Sequence, residues 1–479
     1  MKQRRRPCPS CGYLAPVGAS ICAGCRSPLL EKPANEPPPP SLSESASPVP
    51  ASPLSRKQAL ILSALAGVLL LLGLLTAGLL HLDSSETASS RGLAPPPQFR
   101  DTSEGESGHS DGMLSVTAAQ TIPVDFRPED LVFGGVPERL YVGGSNRVLE
   151  IDPNSGTVVR TLPAHQRVEA LHVIHNRWLV SSFYWGSHAV SIWDLRSGEV
   201  EPTKVRVGSN IGNAIGLPDN ASMLVSAVNS HQLSRVHLPS ATVERERVRF
   251  QNTIGSLFSV VRHGRPAIVA MGGVYRGRQG IGEWVGVIDL EGVSANEEVH
   301  SLRAGRQPRK PGISRDGTRL LFPDRLSNQA TLIDLNQPES AQTVGVGRFP
   351  QEAYIMPNDR YGFTVNDSGS LTILRLAPLE FVSTLELPHQ PASALGRGRG
   401  AASSRALGYA AVALKGSGRP GNGQGVVFLA GSPPEIVTRA PTGQGPSAVA
   451  INRAGTLVAT ANTRDRNLSL LRVSRLPTE

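Results

Sequence analysis

The chain is poor in the residues that usually announce chemistry or disulfide architecture. It has only four cysteines in 479 residues, all within the first 25, so whatever folds after them must do so without disulfide bonds. Aromatic residues make up 5% of the sequence, and charged residues 18%. The G-x-S-x-G elbow, the phosphate-binding P-loop and the dinucleotide-binding glycine fingerprint are all missing, which removes the commonest motif-bearing hydrolases, nucleotidases and dehydrogenases from consideration. Long apolar runs are missing too, with a single exception at residues 59–80.

Glycine and proline, in contrast, are plentiful at 49 and 39 residues, which favours many tight turns over long helices. The net charge of +9 is divided. Residues 1–57 and the chain after residue 120 are basic, and the stretch between them is acidic.

Residues 59–80, ALILSALAGVLLLLGLLTAGLL, contain no charge and only Ser63 and Thr76 as hydroxyls. As a helix rising about 1.5 Å per residue they match a hydrocarbon core of about 30 Å, which predicts a transmembrane helix within residues 58–82. Arg56 and Lys57 precede it, and Asp83 and Glu86 follow it. The positive-inside rule then puts the N-terminus in the cytoplasm of a bacterial cell and the C-terminal part outside the cytoplasmic membrane. On either side lie segments with little to bury: a Pro/Ser-rich linker at 31–57 and a polar linker at 83–113.

Residues 1–30 contain Cys8, Cys11, Cys22 and Cys25 as two C-x-x-C pairs. Each short turn can present two thiolates to one tetrahedral ion, and four ligands leave no position for water, which predicts a structural zinc. Two disulfides are the alternative and would require an oxidising compartment, reversing the predicted topology. Cys8-Pro9-Ser10-Cys11-Gly12 followed by Cys22-Ala23-Gly24-Cys25 resembles the zinc-ribbon module at the N-termini of many bacterial proteins. It departs from that pattern at Arg26, where the module prefers glycine. A closed metal site on a flexible tether suits protein interaction rather than chemistry.

From residue 114 to 476 the sequence becomes short β-rich runs separated by turns. RVLEIDPNSGTVVRTL from Arg147 and AVSIWDLRSGEVEPTKV from Ala189 share an alternating strand ending at Asp152 or Asp194, a Ser-Gly turn, and an outgoing strand from Val158 or Val200. Similar strand ends occur at Asp289 and Asp334, and in weaker form near His237, Arg375, Phe428 and Arg472, on average about 45 residues apart. This predicts an all-β chain of four-stranded propeller blades. The count is eight, and the last unit lacks one strand that residues 114–124 would supply. The four equivalent aspartates are expected to hold turns. His172 and His175, taken to lie on one strand three residues apart, would face opposite sides and so would not chelate a metal together.

PERLYVGGSNRVLEIDPNSGTVV, VGRFPQEAYIMPNDRYGFTVNDSGSLTILRL and GQGPSAVAINRAGTLVATANTRDRNLSLL resemble the YVTN-type β-propeller repeats, which are related in architecture to lactonase-like propellers. Such propellers usually have seven blades, so seven remains open beside eight. A WD40 assignment rests on Trp193-Asp194 alone. Some lactonase-like propellers are hydrolases, and the resemblance therefore carries an extracytoplasmic hydrolase as an alternative to a binding and scaffolding module.

The connections between second and third strands should share one rim. They contain Tyr184, Trp185, Tyr275, Arg276, Arg278, Arg325, Arg464 and Arg466, which predicts a mildly cationic surface with aromatic groups. A protein or an anionic glycan outside the cell suits it, and a cytoplasmic protein suits the ribbon. A polyanion- or nucleic-acid-binding propeller is the third reading, although an extracytoplasmic position disfavours nucleic acid.

Overall fold

The computed structural model describes residues 5–7, 14–16 and 113–476, except 184–185, 228–232, 246–252, 277–278, 291–299, 393–399 and 416–424; of 5–7, 14–16, 245, 253 and 273–284 it describes only the backbone. The chain divides into two compact units, Met1–Gly108 and His109–Glu479. In the first, Arg5–Pro7 pairs antiparallel with Leu14–Pro16. The four cysteines, both linkers and the apolar run at 59–80 lie outside the described residues. Among the described residues no helix is long and apolar enough to cross a membrane.

The second unit is all-β and consists of eight four-stranded antiparallel sheets. Seven are continuous in sequence. Blade 1 runs from Asp130–Gly134 to Val158–Pro163, blade 2 from Ala170–Ile174 to Thr203–Arg206, and blade 3 from Ile211–Gly216 to Thr242–Arg245. Blade 4 runs from Thr253–Arg262 to His300–Leu302, and blade 5 from Gly312–Ile313 to Gln337–Gly345. Blade 6 runs from Pro350–Ile355 to Leu379–Glu386, and blade 7 from Ala401–Ser404 to Glu435–Ala440. Blade 8 has only three strands of its own, Pro446–Ile451, Leu457–Asn462 and Asn467–Arg475. Its fourth is Leu114–Pro123, which pairs from Leu114 opposite Arg475 to Pro123 opposite Asn467. The blade count is therefore eight rather than seven, and the two ends of the unit close the ring as expected.

Apolar strands pair into sheets to satisfy their backbone, but a sheet this small cannot bury its own two faces. The neighbouring blade does so. The core is not one central mass but eight clusters, one in each seam: Leu140, Val142 and Leu149 of blade 1 pack with Leu468 and Leu470 of blade 8, whereas Tyr141 and Val148 of blade 1 pack with Leu171 and Trp193 of blade 2. The other six clusters fill the remaining seams in turn. The middle strands are therefore buried on both faces and read as unbroken apolar runs. This corrects the expectation that the run from Arg147 alternates: Val148, Leu149, Glu150 and Ile151 are all buried.

Polar side chains pin the first strands to one another. Asp130 Oδ2 accepts from Leu171 N at 2.8 Å, crossing from blade 1 to blade 2. Asn213 both accepts from Leu257 N at 2.8 Å and donates to Leu257 O at 2.9 Å, crossing from blade 3 to blade 4. Such charged or amide bonds to buried backbone satisfy groups that the inner strand edges would otherwise leave open.

Asp152, Asp194 and Asp334 accept the backbone N–H two residues on, at 2.8, 3.0 and 2.8 Å, and Asp289 pairs with Arg262 at 2.9 Å. Three of the four repeat aspartates hold turns as expected, and among the described residues Asp289 is bound only to Arg262. Arg177 also grips Asp194, which together with the turn amide holds that carboxyl below its ordinary range. Two boundaries differ from the sequence reading. The outgoing strand of blade 2 starts at Thr203 rather than Val200. His175 is not on the strand at all but in the turn after it, at φ 53°, with its Nε2 3.4 Å from Ser222 O. The pair is split between a strand and a turn.

Ile122 of the closing strand is 4% exposed and belongs to the seam between blades 8 and 1. Ile122→Ala should cost about 2–4 kcal/mol, measured as a lowered denaturant midpoint with one cooperative transition for the propeller.

Candidate functional site

Antiparallel order dictates which loops meet. A blade's second-to-third connection and the connections between blades lie on the same rim, and the structure joins them by backbone bonds: Val168 N to Ser145 O at 2.8 Å, Leu326 N to Arg306 O at 3.1 Å, and Thr463 N to Gly445 O at 3.0 Å. The sequence reading placed only the first kind of connection on this rim. Among the described residues the blade-to-blade connections bring most of its cations.

Three of those connections share a construction. Gly305-Arg306-Gln307-Pro308 leads into blade 5, Gly347-Arg348-Phe349-Pro350 into blade 6, and Gly443-Gln444-Gly445-Pro446 into blade 8. The proline stands opposite a buried polar residue at the end of the second strand: Pro308 opposite Asp324, Pro350 opposite Asn366, and Pro446 opposite Asn462. The third residue, Gln307, Phe349 or Gly445, has φ of 58°, 53° or 67°, and this left-handed step turns the loop into the strand. The leading glycine is required by contact. A Cβ on Gly305 would lie 2.5 Å from the Asp324 carboxyl carbon, and one on Gly347 would lie 2.4 Å from Asn366 Nδ2.

The buried groups are fully engaged. Asn366 Nδ2 donates to Thr372 Oγ1 at 3.1 Å and to Ser370 Oγ at 3.2 Å, its Oδ1 accepts from Thr364 Oγ1 at 2.9 Å, and Gly347 N donates to Thr372 Oγ1 at 3.0 Å. The amide of Asn462 lies 2.9 Å from Ser469 Oγ and 3.0 Å from Thr460 Oγ1. In blade 5 an aspartate occupies the position. Asp324 is 0% exposed; its Oδ1 accepts from Gly305 N at 3.0 Å and its Oδ2 from Thr331 Oγ1 at 2.5 Å. Loss of hydration pushes its carboxyl up to about 6, with the two hydrogen bonds opposing that rise.

Above these anchors sits the most cationic sector among the described residues of the rim. Arg303 and Arg306 are exposed, Arg309 is half-buried, and Arg325 follows Asp324. Arg325 donates to Gln307 Oε1 at 2.9 Å. Phe349, 37% exposed, has the Arg325 guanidinium 5.3 Å and the Arg348 guanidinium 5.4 Å from its ring centre, with Leu326 exposed beside Arg325. Among the described residues none of Arg303, Arg306, Arg309, Arg325 and Arg348 is in an ion pair. The sector around blades 8, 1 and 2 is different: Arg147 pairs with Asp125 at 2.6 Å and Arg167 with Glu129 at 2.5 Å. Two guanidiniums held on one exposed ring with no nearby carboxylate bound to them form a surface for an anion.

Beneath this sector, Lys310, Tyr354 and Glu352 join blades 5, 6 and 7. Lys310 Nζ donates to Tyr354 Oη at 2.6 Å and to Glu352 Oε2 at 3.2 Å, Tyr354 donates to Ala401 O at 2.5 Å, and Gly400 N donates to Glu352 Oε1 at 3.2 Å. Every polar atom of Glu352 is occupied, so the cluster is a pin rather than a poised base. A groove of about 460 Å³ at the seam of blades 7 and 8 has Asp465 as the sole titratable group in its lining, and that carboxylate accepts from Gln444 N at 2.8 Å. Among the described residues no group of three or more His, Cys, Asp and Glu is placed to hold a metal.

Of the sequence-predicted site residues, Arg325 lies at the centre of the cationic sector. Arg464 and Arg466 lie on the same rim in blade 8, joined to Gln444 O and Val124 N through the backbone, three blades away from Arg325 in ring order. Tyr275 and Arg276 are not in a loop: they are the last residues of a long strand, paired with Gly280 and Gln279. Tyr184, Trp185 and Arg278 lie outside the described residues. Sequence reading missed Arg303, Arg306, Arg348 and Phe349. The signal was the thrice-repeated Gly-x-x-Pro, which marks equivalent loops.

No protein-family model matches the chain, and no curated protein does. Many solved chains match it in structure. One is the hydrazine synthase of Kuenenia stuttgartiensis, at a TM-score of 0.48 and 15% identity, covering 75% of this chain and 98% of that one.

Because Asp324 is ionised in the unfolded chain above about pH 4 but in the folded chain only above about 6, it contributes stability below pH 4 that is lost as pH rises through 6. The two-unit difference corresponds to about 3 kcal/mol. Asp324→Asn, which installs the residue of blades 6 and 8, should match the wild type near pH 4 and exceed it above pH 7, read as the difference in denaturant midpoint against pH.

Proposed function

We propose that the propeller is a binding module whose cationic rim, centred on Arg306, Arg325, Arg348 and Phe349, holds an acidic segment of a partner protein. The observation that carries this reading is the set of arginines on blades 5 and 6 that have no ion pair among the described residues, two of them stacked on an exposed phenylalanine. Guanidiniums on a rigid rim bind carboxylates in a planar, bidentate manner, and the ring supplies apolar contact beside them. The fully engaged Lys310–Tyr354–Glu352 cluster and the single carboxylate of the blade 7–8 groove favour binding over hydrolysis.

Within this reading the propeller stands outside the cytoplasmic membrane of a bacterial cell. A transmembrane helix at 58–82 tethers it, and a cytoplasmic zinc ribbon on Cys8, Cys11, Cys22 and Cys25 docks a second protein. The uncharged run at 59–80, the flanking charges and the two C-x-x-C pairs support that arrangement. The hairpin formed by Arg5–Pro7 and Leu14–Pro16 encloses Cys8 and Cys11 in sequence, the spacing expected of a metal knuckle.

Full-length protein in uncharged lipid nanodiscs should bind labelled poly-L-aspartate at pH 7.5 with an affinity that falls steeply with salt. The double change Arg325→Glu and Arg348→Glu should weaken it at least about tenfold, the equivalent of about 1.4 kcal/mol. Arg147→Glu, in the paired sector, should change it little. Tighter binding of polygalacturonate than of poly-L-aspartate would assign the rim to a glycan instead.

In intact spheroplasts, added protease should cut the propeller while a membrane-impermeant maleimide leaves all four cysteines unlabelled. After lysis the cysteines should label only once zinc is chelated. Labelling in intact cells would overturn the topology.

A further inference from the structure

Asp324 is the odd member of an otherwise neutral set. Asn366 and Asn462 fill the same place in blades 6 and 8, under the same Gly-x-x-Pro loop and opposite the same proline. Asp324 in blade 5 and Asn366 in blade 6 make different bonds. In blade 6 the asparagine donates to the Thr372 hydroxyl, and the loop amide of Gly347 donates to that hydroxyl as well. In blade 5 the hydroxyl of Thr331 donates to the carboxylate, and the loop amide of Gly305 donates to the carboxylate directly. A carboxyl that gains a proton becomes a donor and has the hydrogen-bonding pattern of an amide. The bonds of blade 6 thus show the arrangement blade 5 would take with Asp324 neutral: Asp324 donating to Thr331 Oγ1, and Gly305 N moving to the same hydroxyl.

We infer that Asp324 is a proton-operated switch beneath the cationic rim: uptake of one proton from solvent changes the anchor of the Gly305–Pro308 loop and strengthens the hold of the rim on an anion. This rests on the anion-binding reading of the rim given above. The charged groups near Asp324 are Arg303, Arg306, Arg309 and Lys310 on the loop packed over it, Arg325 beside it, and Arg348, Glu352 and Asp367 on the next blade. Among these only Glu352 and Asp367 share its sign. Glu352 is bound by Lys310, and Asp367 accepts from Gln351. Neutralising Asp324 removes a buried negative charge from under the arginines, which raises their attraction for an anion; by reciprocity a bound anion favours the protonated carboxyl. The transition falls near pH 6, within the range an extracytoplasmic surface encounters.

Dextran sulfate is a suitable probe because its sulfates stay ionised from pH 5 to 7.5. In uncharged nanodiscs, the affinity of the full-length protein for it should rise from pH 7.5 to pH 5 by about fivefold more than that of the Asp324→Asn chain, whose rise reports the histidines alone, and the two chains should bind alike at pH 5. At pH 7.5 the Asp324→Asn chain should already bind about fivefold more tightly than the wild type. Calorimetry at pH 6 in buffers of different ionisation enthalpy should show proton uptake on binding by the wild type in excess of that by Asp324→Asn. Binding with the same pH ratio and proton uptake in both chains would overturn the switch and leave the rim reading intact. An absence of binding at every pH would overturn both.

Discussion

Everything in the propeller depends on a single pairing, that of Leu114–Pro123 with Asn467–Arg475. Each sheet buries its faces only against its neighbours, so an open row of blades would leave a seam of apolar side chains exposed at both ends. Closing the ring removes those ends. The first strand of the unit is made the last strand of the final blade, and the seam between blades 8 and 1 then acquires a cluster as complete as the others, with Ile122, Val124 and Phe126 supplied by the closing segment.

The same geometry sorts the loops. Antiparallel strands carry every second connection to one rim, and the loops between blades come to that rim with them. The rim is thus assembled from short pieces spread along the whole unit, each fixed by the rigid sheet below it. At blades 5 and 6 the Gly-x-x-Pro loops are anchored on Asp324 and Asn366, so that Arg306, Arg325, Arg348 and Phe349 are presented from a firm base. Rigid placement matters because immobilising flexible arginines at the moment of binding would cost side-chain entropy. The buried aspartate makes this base sensitive to protons where its asparagine counterparts are not.

Much of the architecture was legible because turns and strands carry local signatures. The strand ends at Asp152, Asp194, Asp289 and Asp334 repeat with their turn residues, and the missing fourth strand of the last unit was visible as an unassigned β-rich segment at residue 114. Arg325 was legible as a rim residue. Its partner Phe349 was not, because an aromatic before a proline in a loop between blades has no periodic pattern, and only its left-handed backbone turns it outward over two guanidiniums. Tyr275 and Arg276 were misplaced because the length of the blade 4 hairpin is set by pairing across the turn, which neighbouring residues do not record.

The sequence alone determined the repeated unit and the manner in which the two ends meet, and it counted eight units while leaving seven open, since turn residues and spacing are properties of short stretches of chain. Only the tertiary structure decided that the blades would number eight rather than seven, with the core in their seams, that among the described residues one sector of the rim would keep its arginines out of ion pairs while another paired Arg147 and Arg167, and that Asp324 would be sealed from water. Charge pairing and dehydration depend on distances between residues far apart in the chain, and those distances exist only once the ring has closed.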